Sequence, residues 1–274
     1  MSSRLFIVVA HSAIAGLSLL LDTGLNLAAA QTKLDAAYTA TLLGLPIGQI
    51  SWALELRDNR FAAIASGTIS GLLRIFSDAH GDVAAHGTLS RGRPVNSSFA
   101  LKIFAGKWSD EVRILFSGNK VKEYYATAPA KPNPVQIPLT DASLLGAVDP
   151  MTAMFAYIPG NGETTVPQAC EHDVPVFDGH TRYDLRLAFG RFDKVKTDAG
   201  YQGPVVVCAV KFFPVAGYDP KHFLVTYLAA QRDIEIWLAP VARTRFLVPY
   251  RMSMRTPMGL GLLQATKFET LPLE

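Results

Sequence analysis

Apolar and polar residues alternate along most of the chain with a period of two. Trp52, Leu54 and Leu56 show the pattern clearly, because each is followed by a smaller or charged residue. It recurs over residues 98–103, 111–114, 182–187, 233–236 and 250–255. Such alternation is typical of strands that have one face on a core and the other in water. We therefore expect an all-β protein.

Short polar signals separate the alternating runs. They are Asp58-Asn59, Gly81-Asp82, Gly118-Asn119 and Asp178-Gly179. Dipeptides of this kind favour the tight turns of β-hairpins. Counting the runs predicts roughly a dozen strands, at the spacing expected of a sandwich or barrel. Alternating helical and strand patterns are missing from the sequence, which argues against a parallel α/β sheet.

One segment departs from the β pattern. Asp149 is a good helix N-cap, Pro150 suits the first helical position, and helix-forming residues follow. We expect one short helix near residues 149–157. Four prolines within residues 129–138 predict an extended connector just before it. We interpret that connector as a crossover inside a single β domain that covers residues 31–274.

The N-terminus and the charge bear on location and partners. Arg4, an apolar run and Ala28-Ala29-Ala30 predict a signal peptide over residues 1–30, with an uncleaved membrane anchor as the alternative. No later run is long enough for a transmembrane span. The chain has 274 residues and a net charge of +3, which gives no basic footprint for nucleic acid.

The two cysteines, Cys170 and Cys208, both follow the predicted signal peptide. In an oxidising compartment such a pair predicts one disulfide. The alternative is a reactive thiol, for which the C-x-x-C spacing or an oriented histidine partner would be expected.

The sequence contains no motif for a nucleophile, a phosphate loop or a zinc site. His80 and His86 flank the predicted Gly81-Asp82 turn and could form a metal site, although two solvated histidines explain them better. We therefore assign no catalytic residue, no metal and no cofactor.

Two groups of residues are candidates for binding. Phe246, Tyr250, Met252 and Met254 would form an adaptable apolar face for a ligand, with core packing as the alternative. A set of arginines would contact an anion or a lipid headgroup, with a solvated strand face as the alternative. That set is Arg182, Arg186, Arg251 and Arg255.

An ordered set of short motifs resembles the DUF3108 family of exported bacterial proteins of unknown function. The resemblance covers about residues 34–270 and starts with a Tyr-containing strand and the Gly44–Gly48 turn. The later motifs are Asp149-Pro150, Cys170, residues 176–179 and 182–185, Tyr201 with Gly203, Cys208, residues 214–217, Trp237-Leu238 and Val248-Pro249.

The resemblance implies a fold and a compartment but no catalytic residue. The chain is also similar to the DUF1849 envelope-integrity proteins, which implies a periplasmic, curved or spiral antiparallel sheet that is open like a half-barrel and carries a disulfide. We expect a non-enzymatic periplasmic protein of a Gram-negative bacterium that supports envelope integrity by binding a protein or another envelope component. A carrier or sensor of a lipid or lipoprotein acyl chain is the alternative, and an envelope hydrolase is the least favoured.

Overall fold

Two antiparallel meanders, joined side by side, form the sheet of this protein. The computed structural model describes residues 31–71, 78–118, 120–128 and 134–273. Thirteen of its strands follow one another as hydrogen-bonded neighbours, and two short strands pair beside them. Because the two strands at the ends of this order do not pair with each other, the sheet is not closed. The predicted fold class, an open antiparallel sheet, is confirmed, with fifteen strands instead of about a dozen.

The strands and helices have the following bounds. The first meander contains β1 Thr32–Leu42, β2 Leu45–Arg57, β3 Arg60–Ile69, β4 His80–Ser90, β5 Arg93–Ala105, β6 Trp108–Ser117 and β7 Lys120–Ala126. The second half contains α1 Asp141–Leu144, β8 Ala156–Tyr157, β9 Asp173–Phe177, β10 Arg182–Lys196, β11 Ala199–Gly200, β12 Gln202–Ala216, α2 Phe223–Ala230, β13 Ile234–Pro240, β14 Phe246–Thr256 and β15 Gly259–Pro272. The spatial order of the strands is β7-β6-β5-β4-β3-β2-β1-β15-β14-β13-β12-β10-β9, while β8 pairs with β14 and β11 with β15. The end strands of the sheet are therefore β7 and β9.

Most of the predicted turns are present. Asp58 and Asn59 both have positive φ angles, 44° and 62°, as a tight hairpin between β2 and β3 requires. β6 and β7 pair up to Ser117 and Lys120, although Asn119 between them lies outside the described residues. The turn predicted at Gly81-Asp82 is wrong, because both residues lie inside β4 and pair with β3 and β5. The neighbouring strands on both sides override the local turn preference.

The helix predicted near residues 149–157 is shortened to a 3-10 turn, Thr152–Met154. Asp149 caps it: its carboxylate accepts hydrogen bonds from the backbone N–H groups of Met151 and Thr152 and from the Thr152 hydroxyl. Beyond the turn, residues 156–157 pair with β14 instead of continuing a helix. Tertiary pairing therefore overrides the local helix signal.

Phe155, which follows this turn, fills the interior of the curved sheet. Its ring lies 6.3 Å from that of Trp52 and nearly parallel to it, and it meets Phe61 edge-on at 5.3 Å. A third aromatic ring, that of Phe246, lies 6.2 Å away on β14. The segment thus joins the concave faces of both meanders in one buried core. Aromatic pairs with these separations stabilise a core beyond the area that they bury.

A second buried cluster lies on the other face of the sheet, around the confirmed Cys170–Cys208 disulfide. The two Cα atoms are 5.3 Å apart, and both cysteines are fully buried. The bond ties the 3-10 turn Pro167–Cys170 to β12, whose residues 205–208 are buried on both faces. Disulfides of this kind are typical of exported proteins.

The connector between the meanders runs from one end of the sheet order to the other. Isolated bridges join Leu145 to Lys120 of β7 and Val148 to Val176 of β9. The rings of Tyr124 and Phe177 also meet at 5.0 Å across the gap between these two strands. Residues 134–138 of the predicted proline-rich crossover lie on this connector. Residues 129–133 and the predicted signal peptide lie outside the described residues, so the division into a signal peptide and a single β domain stays a prediction.

Removing the cap of the 3-10 turn should destabilise the whole core. Burial raises the pKa of Asp149, while its hydrogen bonds with Thr152 and Met151 oppose that rise. Asp149→Ala leaves buried N–H donors without an acceptor, so we expect a loss of about 2–4 kcal/mol in the free energy of unfolding. Urea denaturation measures it. Asp141→Ala, at an exposed position of α1, is the control and should change stability by less than about 0.5 kcal/mol. Equal losses would contradict the capping role.

The disulfide should contribute measurably to stability. It closes a loop between residues 38 apart in sequence. The chain-entropy relation gives about 3–4 kcal/mol for a loop of this size. We expect the double variant Cys170→Ala, Cys208→Ala to lose that amount in urea denaturation, compared with the oxidised protein. Free thiols in the protein recovered from an oxidising compartment would show that the bond does not form.

Candidate functional site

The gap between β7 and β9 contains the main candidate site, which we call the seam cleft. One wall is formed by the start of β6 and the end of β7, and the other by the β9–β10 turn, the end of β12 and α2. The cleft has a volume of about 950 Å³, at the upper end of the range for small-molecule sites. Its main apolar and aromatic residues are Trp108, Tyr124, Leu139, Phe212, Leu224, Val225 and Leu228.

A histidine–aspartate pair crosses the seam at this cleft. His180 Nε2 lies 3.0 Å and 3.1 Å from the two carboxylate oxygens of Asp110 on β6. Asp178 fixes the turn that carries the histidine, because its carboxylate accepts hydrogen bonds from the N–H groups of His180 and Thr181 and from the Thr181 hydroxyl. The Asp110 side chain is mostly buried. The pair therefore links the two ends of the sheet and offers a polar anchor inside an apolar cleft.

Tyr218 and the connector form the remaining polar part of the lining. Burial raises the pKa of Tyr218 to about 12, so its hydroxyl stays protonated at neutral pH. The Ile137 N–H donates to the Tyr218 carbonyl oxygen at 2.8 Å, and the side chain of Gln136 donates to the Gly217 carbonyl oxygen. These bonds hold the connector against the end of β12. The cleft thus has neutral hydrogen-bonding groups besides the His180–Asp110 pair.

Helix α2, Phe223–Ala230, is apolar apart from Thr226 and the Tyr227 hydroxyl, and yet has no fully buried residue. Phe223 and Leu224 expose more than half of their surface. A helix that is hydrophobic all round is normally buried in a core or a membrane. In this structure it forms a wall of the seam cleft, so part of its apolar surface is available to something other than the chain itself.

A second, shallower concavity lies on the inner face of the first meander. This glycine groove, of about 430 Å³, contains Gly48, Gly67 and Gly81 in adjacent strands, with Ile50 and Leu101 among the apolar residues around them. A Cβ atom at Gly81 would lie 2.9 Å from the Lys102 carbonyl oxygen, so glycine lets the strands approach there. Ile103 in the groove is the cross-strand partner of Asp110 in the seam cleft, so the two sites lie on neighbouring strands.

The structure divides the predicted apolar face. Phe246 and Tyr250 are buried in the inner core, whereas Met252 and Met254 are partly exposed. The division coincides with a β-bulge: Trp237 pairs with Arg251 and Leu238 with Pro249, which leaves Tyr250 as an extra residue in β14. A bulge interrupts the alternation of faces. The four residues therefore do not form one continuous face, and a ligand there stays a prediction.

The structure gives the four predicted arginines different partners instead of one cluster. Nη1 of Arg182 lies 2.7 Å from Asp184, and Arg186 stacks on Phe213 and pairs with Asp173. On β14, Arg251 lies over the Trp237 ring and Arg255 pairs with Asp233. An anion site at these residues stays a prediction.

Sequence reasoning missed the seam cleft and α2. His180 and Asp110 are 70 residues apart, and no local pattern brings them together. The available signal for α2 was the apolar run over residues 223–230, interrupted by Thr226, that begins shortly after Asp219-Pro220. Within the described residues, no group of three His, Cys, Asp or Glu side chains could hold a metal ion. In the same part of the chain, no helix has the length and apolar character needed to span a bilayer.

Comparison with known proteins gives a family but no activity. Residues 37–265 match the family model described as "Protein of unknown function (DUF3108)". No protein of curated function matches the chain. A crystal structure described as "a putative lipoprotein from Parabacteroides distasonis ATCC 8503" aligns with a TM-score of 0.34 and 10% identity, and the alignment covers 88% of this chain and 96% of the other. That similarity is too low to support an argument about fold or function.

Close packing at the seam gives a test of its geometry. Gly179 lies in the β9–β10 turn with a φ of 100°, and a Cβ there would lie 2.3 Å from Val112 of β6. We expect Gly179→Ala to lose about 2–4 kcal/mol of stability, from strain and from overpacking. Gly106→Ala is the matched control, since it has a φ of 61° but open space, and it should cost about 1 kcal/mol. Equal losses in urea denaturation would mean that the two meanders do not pack at Gly179.

Proposed function

The chain belongs to the DUF3108 family of proteins of unknown function, and we propose that it is a non-enzymatic periplasmic binding protein of the cell envelope. Its ligand is an amphipathic molecule with an acyl chain, held in the seam cleft. The observation that carries the proposal is α2, which is almost entirely apolar, has no fully buried residue and forms a wall of that cleft.

The lining supports an amphipathic ligand better than a purely polar or purely apolar one. Leu224, Val225 and Leu228 of α2 offer an apolar wall for an acyl chain. The His180–Asp110 pair and Tyr218 offer donors and acceptors for a polar headgroup. A mostly apolar cleft with a few convergent polar groups is the usual form of a small-molecule site.

Burial of the helix would provide the driving force for binding. Fully burying one aliphatic side chain is worth about 1.5–3 kcal/mol relative to leaving it exposed. An acyl chain along α2 would bury several side chains at once. In the free protein, Val225, Leu228 and Ala229 are only partly buried and Phe223 and Leu224 are exposed, so most of this gain is still available to a ligand. The ligand-bound state is therefore expected to be more stable than the free one.

Two observations support the periplasm as the proposed compartment. The Cys170–Cys208 disulfide fits an oxidising compartment, and the sequence of residues 1–30 has the pattern of a signal peptide. For a Gram-negative bacterium, both favour the periplasm. A role in envelope integrity then corresponds to binding or presenting an envelope lipid or the acyl chain of a lipoprotein.

A second candidate function is binding of a partner protein at the edge strand β7. Most of its residues are exposed, and Tyr125 projects with 57% of its surface accessible. Exposed edge strands accept an added strand from a partner. An isolated bridge to Leu145 is the pairing seen on the outer side of β7 among the described residues. This role and lipid binding are compatible, because β7 also borders the seam cleft.

A charge in the wall of the cleft should abolish binding of an acyl chain. The full chain is exported in a bacterial host, recovered from the periplasm and titrated with cis-parinaric acid, a fluorescent fatty acid. We expect Leu228→Glu to weaken binding at least about tenfold, because a carboxylate would have to be desolvated beside the chain. Thr226→Glu, on the same helix but outside the cleft lining, should change affinity by less than about twofold.

Native mass spectrometry of the same preparation provides an independent check. A lipid-sized mass on the wild-type protein, absent from Leu228→Glu, would support the proposal. Absence of both a co-purified ligand and parinaric acid binding would overturn it and favour the protein-partner role. Turnover of an added envelope lipid would instead identify a hydrolase.

A further inference from the structure

Exposed apolar side chains collect at one end of the sheet. In antiparallel meanders, successive turns lie at alternate ends, so the β1–β2, β5–β6 and β14–β15 turns and the α2 connection all lie at the same end. We call the apolar residues there the rim: Leu43, Trp108, Phe223, Leu224, Met258 and Leu260. Leu43 and Met258 are 67% and 70% exposed. Single exposed apolar residues are ordinary, but such a grouping marks an interaction surface.

Leu43, at the tip of the β1–β2 hairpin, has an unfavourable backbone conformation. Its φ of 52° lies in the left-handed region, where Gly, Asn or Asp is usual and a branched side chain is disfavoured. The Leu43 N–H donates to the Leu260 carbonyl oxygen at 3.0 Å, which joins two of the hairpin tips. A Cβ at Gly259 would lie 2.2 Å from Leu43 Cδ2, so glycine there makes room for the leucine. Despite this strained conformation, the Leu43 side chain remains exposed to solvent.

Cationic side chains accompany the aromatic residues of the rim. Lys107 directly precedes Trp108, and Lys221 stands two residues before Phe223; both lysines are exposed. Within the described part of the chain, neither lysine forms an ion pair. Aromatic side chains beside unpaired lysines are typical of segments that lie at the interface of a bilayer with anionic headgroups.

We infer that the rim docks on the surface of an anionic lipid bilayer. The tips project from separate hairpins and from a helix, so they form an uneven surface. A fluid bilayer accommodates such projections, whereas a rigid protein partner would need a matching pocket for each one. Trp108 and Leu224 also line the seam cleft, so docking would bring the cleft to the membrane. In this respect the inference deepens the proposed function and rests on it.

Trp108 gives a direct spectroscopic test. It is 56% exposed, while Trp52 and Trp237, the other two tryptophans, are buried. The full chain, recovered from the periplasm, is mixed with vesicles of three parts phosphatidylethanolamine to one part phosphatidylglycerol. We expect a blue shift of tryptophan emission and co-flotation with the vesicles, both weaker with phosphatidylcholine vesicles or at high salt. Loss of the shift in Trp108→Tyr would assign the signal to Trp108, since the other two tryptophans are buried.

The decisive comparison uses two triple variants with equal numbers of exposed apolar residues removed. Leu43→Asn, Phe223→Ser and Met258→Ser change the rim and leave Trp108 as reporter; asparagine also tolerates the positive φ of residue 43. Leu115→Ser, Phe192→Ser and Leu271→Ser change positions toward the opposite end of the sheet. We expect the rim variant to lose at least about tenfold in vesicle partitioning and the control less than about twofold. Urea denaturation verifies that both fold.

The outcomes separate this inference from the proposed function. Leu228→Glu should abolish parinaric acid binding and keep vesicle binding, while the rim variant should do the reverse. Equal loss in both triple variants, or no partitioning of the wild type, overturns membrane docking. A rim-dependent dimer in analytical ultracentrifugation, without vesicle binding, would also overturn it and identify a second copy as the partner.

Discussion

An open sheet leaves a row of unpaired backbone groups at each of its two edges, and here one connector runs between both. β7 and β9 end the strand order, and the connector bridges to the first through Leu145 and to the second through Val148. Because residues three apart reach both edges, the edges must lie near each other, and the sheet must curl. The curl creates the concave interior that Phe155 fills and the seam cleft that it leaves open. Fold and candidate site thus have one cause.

The interior shows why the filled and open parts of the concave face differ. The segment from Asp149 to Tyr157 enters from the connector side, and its aromatic rings reach β2, β3 and β14. Toward the β1–β2 and β5–β6 turns, the described residues include no such segment, and glycines replace larger residues along the glycine groove. The disulfide lies on the opposite face, where it ties the 3-10 turn before β9 to β12. The Phe155 core and the disulfide thus stabilise opposite faces of the sheet.

The sequence predicts the local features of this protein well and the long-range ones poorly. Alternation gives the strands, Asp58-Asn59 gives a hairpin turn, and two cysteines give one bond, because each depends on few neighbours. The face of β14 was not predictable, since the bulge at Tyr250 arises from pairing with β13 and shifts every later side chain. The His180–Asp110 pair depends on the curl of the whole sheet. The seam cleft therefore could not be predicted without knowing the strand topology of the sheet.

The exposed helix and the rim are hard to explain by folding alone. The core needs neither Leu43 at its strained tip nor α2, because Leu43 is exposed and α2 has no buried residue. Apolar residues at such positions raise the risk of aggregation, and polar replacements would satisfy the same backbone. The presence of these exposed apolar residues is explained if another molecule covers them while the protein functions. An acyl chain would cover the cleft side of α2, and a bilayer would cover the tips, so one amphipathic environment accounts for both. A protein partner at β7 would cover neither.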